Sequence, residues 1–245
     1  FDTIEFTTQK REFKTTTGTY KNKQFSIIST GIGPDNIDIV MNELDALVNI
    51  DLQTRKPKEK LTSFNIVRIG TSGSLQADIP VDSYIISSHA LDLNGMLHSY
   101  QIEEIANPEI ENAFVKHTNW SAKKAAPILI GNHKELEHKL TSKDTFAGIT
   151  ATAGGFYGPQ GRVLRLNLQD DDLNQKIDSF SYNDHRITNL EMETSAIYGL
   201  AKLLGHNACS ISAIMANRAN GTFSKSPDKL MANLISYTLE KLVKI

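Results

Sequence analysis

Three short segments of the 245-residue chain carry polar side chains in patterns suited to chemistry. In residues 189–200, NLEMETSAIYGL, Glu191 and Glu193 flank Met192 just where the chain becomes apolar. Read as the mouth of a helix, the two acids have an ordinary explanation, since the dipole and free N–H groups of a first turn favour negative charge. The other explanation is a carboxylate that holds a polar substrate. Arg68 stands inside an apolar run and is followed by GTSGS. A guanidinium there needs an anion, either a partner carboxylate or a ligand phosphate, because an unpaired buried charge is expensive. The glycines and Thr71 that follow add N–H and hydroxyl donors suited to an oxyanion. The third segment, GGFYGPQGR at residues 154–162, joins the aromatic face of Phe156 to Gln160, which donates and accepts, and Arg162, which only donates. Such a set can read the edge of a flat heteroaromatic ring bearing carbonyls and one N–H. Taken by itself, the segment reads first as a glycine-rich surface turn with a solvated arginine.

The elements that must position these residues alternate between strand and helix. Residues 23–33 read as a β-branched strand ended by glycines, and residues 35–48 carry Ile37, Val40, Met41, Leu44 and Leu47 at helical spacing. Only two glycines of a dinucleotide-binding G-x-G-x-x-G are present, because Asn36 holds the third place. The charged stretch 51–60 reads as a solvated surface insertion. Further strands are expected at 65–69, 83–90 and 145–153, the first of them ending in a glycine-rich turn, and a late one ends in the polar loop IMANRANG. Residues 167–189 form a polar, acid-rich stretch before the helix that Gly205 closes, and residues 228–243 form an amphipathic last helix. Alternation without repeats predicts a single α/β domain over residues 1–245, with a central sheet between helices. Ligands of such sheets collect at the carboxyl ends of strands, where the loops after Arg68, Ala153 and Ala216 are expected to lie.

Composition narrows the function. A formal net charge of -2 provides no basic footprint for nucleic acid. No apolar run reaches the ~18 residues that would span a bilayer, and no secretory pattern opens the chain, so a soluble, cytoplasmic protein is expected. The single Cys209 has no internal disulfide partner, and the seven histidines show no metal-ligand spacing, so neither a catalytic metal nor a cofactor is expected. His89, Asp92 and His98 are expected to be satisfied polar residues rather than ligands. The chain starts at Phe1 inside a structured-looking segment, and residues upstream of this numbering are expected.

The order and spacing of STGIG (29–33), RIGTSGSL (68–75), FYGPQGR (156–162) and NLEMET (189–194) resemble the nucleoside phosphorylase superfamily, most closely its uridine phosphorylase branch. The resemblance covers nearly the whole chain and implies a three-layer α/β/α fold with a twisted mixed sheet. It implies phosphate at Arg68 and Thr71, uracil read by Gln160 and Arg162 with Phe156 stacking, and ribose hydroxyls held by Glu193 with Met192 packed on the sugar. Glu191 becomes a flanking acid, and Met215 a residue lining the base pocket. KREF (10–13) is similar to a segment through which a neighbouring subunit contributes an arginine, here Arg11, to the phosphate site. A homodimer at least, and a hexamer built as a trimer of dimers, follow from the same resemblance. The family's glycine-aspartate-proline phosphate loop and an upstream histidine have no counterpart in this numbering.

The reaction so implied is reversible phosphorolysis of uridine to uracil and ribose 1-phosphate, with phosphate as co-substrate. Arg68 would place the anion beneath a developing oxocarbenium ion, Glu193 would fix the sugar, and Arg162 and Gln160 would receive charge on the departing base. Purine-acting relatives use an aspartate of the late loop to protonate the leaving base. Here that loop holds Asn217 and Arg218, and asparagine cannot act as the acid. For Arg218, ordering the loop and reaching the base are equally open. A purine phosphorylase, a nucleosidase using water, and a non-catalytic nucleoside-binding protein are the alternatives.

Overall fold

The computed structural model describes residues 1–244. Threonine-rich β1 (Thr3–Lys10), β2 (Phe13–Tyr20) and β3 (Lys23–Ser29) form an antiparallel ribbon, β1 exposed throughout. Gly31 and Gly33, both at positive φ, then turn the chain into α1 (Pro34–Asn49). Pro34 suits the first helical turn, where its missing N–H is no loss. β4 (Ile50–Asp51) and β5 (Lys56–Pro57) pair as a small ribbon, so the charged insertion is a surface hairpin. The remainder comprises β6 (Asn65–Ser74), β7 (Tyr84–Asp92), α2 (Pro108–Thr118), β8 (Ile128–Gly131), α3 (Lys134–Leu140) and β9 (Thr145–Thr152). After these come α4 (Leu173–Asp178), β10 (Ser181–Tyr182), β11 (His185–Glu191), α5 (Thr194–Leu203), β12 (Asn207–Asn217), β13 (Thr222–Phe223) and α6 (Pro227–Leu242).

One mixed sheet of eight strands runs β13, β12, β6, β11, β9, β7, β8, with β10 on β11. The pairs β12–β6, β11–β9 and β7–β9 are parallel, whereas β11–β6 and β7–β8 are antiparallel. β12 also pairs antiparallel with β7 through Ile211–Ile86, Ser212–Ile85 and Ala213–Tyr84, which closes part of the sheet on itself. Helices surround it. α1 and α5 bury Ile37, Met41, Ala196 and Leu200 together with Ala90 and Ile130. α2 and α4 contribute Phe114 and Ile177 to a cluster with Leu91, Leu129 and Leu190, and α3 and α6 bury Leu136 and Leu234 against Ile86 and Ile211. Each such fully buried aliphatic side chain stabilises the fold by about 1.5–3 kcal/mol. A mixed sheet covered by helices is the fold class expected from the sequence.

Two expectations need correction. The turn after Ile69 does not exist, because β6 continues through Gly70 and Gly73 to Ser74 while pairing with β12 along its length. Gly70 is needed there for contact rather than turning, since a Cβ would come within 2.2 Å of the Arg68 Nη1. The polar stretch 167–189 also contains α4 and most of β11. Its strand was masked because Thr188 and Asn189, polar by type, are fully buried and hydrogen-bonded inside the sheet.

Candidate active site

β6 meets β11 only at Gly73–Leu190 and Ser74–Asn189, and upstream of that contact the two strands separate. A cleft of about 1260 Å³ occupies the opening, lined by β6 from Asn65 to Gly73, by Gly31 and Ile32, and by the 156–162 loop, Glu191 to Glu193 and Met215. Arg68, Thr71, Phe156, Gln160, Arg162, Glu191, Met192, Glu193 and Met215 all line it, so motifs far apart in sequence share one cleft. Arg11 does not: it sits at positive φ in the exposed tight turn between β1 and β2, outside this chain's own cleft.

At the floor, Arg68 joins both acids. Its Nη2 lies 2.6 Å from Glu193 Oε2 and 3.0 Å from Glu191 Oε2, and its Nη1 donates to Ser212 Oγ at 3.1 Å. Burial works against the charge of Arg68, but Glu191 and Glu193 outweigh it and its pKa is raised. The carboxylate partner allowed by the sequence is therefore present, and Thr71 stands exposed in the cleft nearby in the strand. Glu193 Oε1 accepts the Gly33 backbone N–H at 2.8 Å. That gives the positive-φ glycine turn a purpose: it brings an amide to the carboxylate.

The two acids lie ahead of the helix rather than in its first turn. Glu191 ends β11, Glu193 occupies the N-cap of α5, and the helix starts at Thr194. β11 extends this far because it is held between β9 and β6, and that pairing overrides the helical pattern of NLEMET. Glu191 is 4% exposed and its oxygens accept from Thr152 Oγ1 and from the N–H groups of Glu193 and Thr194. With Arg68 added, its acceptor sites are filled by protein.

The opposite wall is the 156–162 loop, which makes a 3-10 turn over Gly158–Gln160 and leaves it through Gly161 at positive φ. Gln160 is 3% exposed. Its Oε1 accepts from Arg162 Nη1 and, at 2.7 Å, from Arg218 Nη2, while its backbone carbonyl accepts from Arg218 Nη1 at 2.9 Å. An oxygen held by two guanidinium groups leaves the amide N–H₂ of Gln160 as the group with donors to spare. Arg162 also stacks on Phe156, 3.8 Å from its ring centre, so one face of that ring is covered by arginine while the side chain remains half exposed. Among the described residues no carboxylate pairs with these arginines. Burial and then the proximity of Arg162 lower the pKa of Arg218 to about 10.

Arg218 is thus tied to Gln160 and holds the 156–162 loop from across the cleft. Asn217 is buried and spends its amide on the carbonyls of Gln76 and Ile79 and its Oδ1 on the N–H groups of Ala219 and Asn220. It is the organiser of the late loop. His98 bonds the Ala126 carbonyl and His89 packs edge-on against His185, both away from the cleft. Asp92, fully buried at the end of β7, accepts from Ser195 Oγ. Sequence reasoning gave Gly33 only as part of STGIG and overlooked Thr152, Ser195 and Ser212. For Thr152 and Ser212 the available signal was a hydroxyl residue inside an otherwise apolar strand.

Among the described residues no helix is long and apolar enough to cross a membrane, and no three His, Cys, Asp or Glu side chains group as a metal site. The sequence profile of the phosphorylase superfamily matches residues 1–244. A uridine phosphorylase of Thermococcus kodakarensis is 28% identical over 243 residues, covering 96% of this chain and 73% of its own. A purine nucleoside phosphorylase of Listeria monocytogenes is 24% identical over 230 residues, 93% of this chain and 79% of its own. Among solved structures, a Trypanosoma brucei nucleoside phosphorylase that shows uridine phosphorylase activity superposes with a TM-score of 0.88 at 26% identity, over 100% of this chain and 87% of that one. With the profile spanning the cleft from end to end and the fold shared with a solved relative, the chain belongs to the phosphorylase superfamily.

Proposed function

We propose that this protein catalyses the reversible phosphorolysis of uridine to uracil and ribose 1-phosphate. The observation that carries the proposal is Gln160, buried, with its carbonyl held by Arg162 and Arg218. Its free N–H₂ donors and the adjacent guanidinium groups suit the carbonyl oxygens of a pyrimidine, where negative charge collects as the base departs. Preorganised donors aimed at developing charge typically contribute about 10²–10³ in rate each. Glu193 offers a carboxylate for the ribose hydroxyls, and Met192 and Met215 line the cleft around sugar and base. Phosphate binds at Arg68 and Thr71, with Arg11 supplied by a neighbouring subunit, so the working unit is at least a homodimer. A hexamer built as a trimer of dimers, a cytoplasmic location and turnover without any cofactor belong to the same proposal.

The similarity to a purine nucleoside phosphorylase makes the purine reading the second one. Against it stands the late loop, where Asn217 is committed to four backbone partners and no acid is available to protonate a leaving purine. Ultraviolet-monitored cleavage of uridine with and without phosphate, with inosine in parallel, decides between them. Uracil released only with phosphate present, and inosine untouched, is the expected result. Cleavage of inosine at a comparable rate refutes the pyrimidine assignment, and cleavage without phosphate makes the protein a nucleosidase.

A further inference from the structure

A glutamate is a poor helix cap, and Glu193 at the N-cap of α5 makes no capping bond with its side chain. The first N–H groups of the helix are nevertheless satisfied, by neighbours. Glu191 accepts from the N–H groups of Glu193 and Thr194 at 2.9 and 3.0 Å, and Thr152 Oγ1 accepts from Ser195 at 3.0 Å. The Thr152 hydroxyl then donates to Glu191 Oε1 at 2.6 Å, which ties the two substitute caps together. Ser195 is fixed from its other side by Asp92. Because the cap is supplied from β9 and the end of β11, the Glu193 carboxylate is left to meet the Gly33 N–H and Arg68 at the cleft floor.

We propose that Thr152 is a positioning residue for Glu193. It is fully buried at the end of β9, does not line the cleft, and acts by holding the helix N–H that Glu193 would otherwise turn back to satisfy. Removing the hydroxyl leaves the Ser195 N–H without its acceptor and Glu191 without one donor. The nearest remedy is a turn of Glu193 from the Gly33 N–H towards its own helix, where part of the lost cap is regained while Arg68 keeps Glu191 as its partner. The proposal rests on the reading of Glu193 as the ribose-binding group.

Steady-state kinetics of Thr152→Val and Thr152→Ser, with uridine and with 2′,3′-dideoxyuridine, test it. The valine variant, similar in shape but without the hydroxyl, is expected to raise KM for uridine roughly 10-fold, a ratio in the range of one lost cap. KM for phosphate stays within about two-fold of the parent, and Thr152→Ser restores the uridine value. The dideoxy substrate, which offers no hydroxyls to Glu193, loses little further activity. Equal losses for both substrates, or unchanged KM in both, overturn the proposal. If Thr152→Val does not fold, Thr152→Ala makes the same deletion. A crystal structure of the hydroxyl-less variant provides the second arm: Glu193 leaving the Gly33 N–H supports the role, and Glu193 unmoved refutes it. If the parent protein does not turn over uridine, the functional reading fails while the crystallographic arm still decides the part played by Thr152.

Discussion

Replacing Arg218 by alanine should damage the handling of the base while leaving phosphate alone. Arg218 makes two charge-assisted bonds to Gln160, 2.9 Å to the backbone oxygen and 2.7 Å to Oε1, and its own N–H bonds the Ser74 carbonyl independently of the side chain. Bonds to charged groups contribute about 1.5–3 kcal/mol each. The sum is not fully lost, since Arg162 keeps its hold on Oε1 and water can reach the space vacated by the guanidinium. A net loss of about 2–3 kcal/mol follows, or roughly 30–150-fold in kcat/KM for uridine. Arg218→Lys keeps a charge but cannot span both acceptors, so an intermediate loss of roughly 10-fold is expected. Initial rates of uracil release, measured against uridine and separately against phosphate, provide the assay. Arg218→Ala within about three-fold of the parent for uridine, or a matching rise in KM for phosphate, would refute the coupling of the late loop to base recognition.

Other predictions concern the cleft floor and the far side of the sheet. Arg68→Met leaves Glu191 and Glu193, whose side chains are 2% and 11% exposed, without their shared cation. Breaking a buried pair in this way costs about 3–5 kcal/mol, to be read by urea unfolding; a loss below about 1 kcal/mol would show that the ion pair does not support the fold. His89 packs against His185 with Lys134, Lys202 and Glu137 around it, and burial first, then the neighbouring positive charge of His185, depresses its pKa to about 4. The unfolded chain, with an ordinary histidine near 6.5, takes up the proton first as pH falls. Stability contributed by neutral His89 is therefore complete above about pH 6.5 and declines towards pH 4. Thermal melts across that range should show a shallower decline in His89→Gln than in the parent, and identical slopes would sink the assignment.

Much of this protein is determined by sequence alone, because its signals are local. β-Branched runs and helical spacing located β3, α1, β9 and α6 nearly to the residue, while β12 runs on to Asn217, into the stretch read as the late loop. The residues of the three polar motifs line one cleft, and Arg68 stood out in the sequence because a guanidinium in an apolar run is costly unless an anion meets it. Tertiary structure decided what those residues do to one another. Whether Arg68 met a partner carboxylate or was left for a ligand anion alone depended on β6 and β11 separating just above Gly73, which no local pattern records. The continuation of β6 through GTSGS was equally hidden, because glycine reads as a turn until the guanidinium packed against Gly70 is seen. Capping of α5 by Glu191 and Thr152, and support of Gln160 by Arg218, join residues 3, 43 and 58 positions apart. Such bonds depend on side-chain geometry across strands, and that geometry exists only once the sheet has closed.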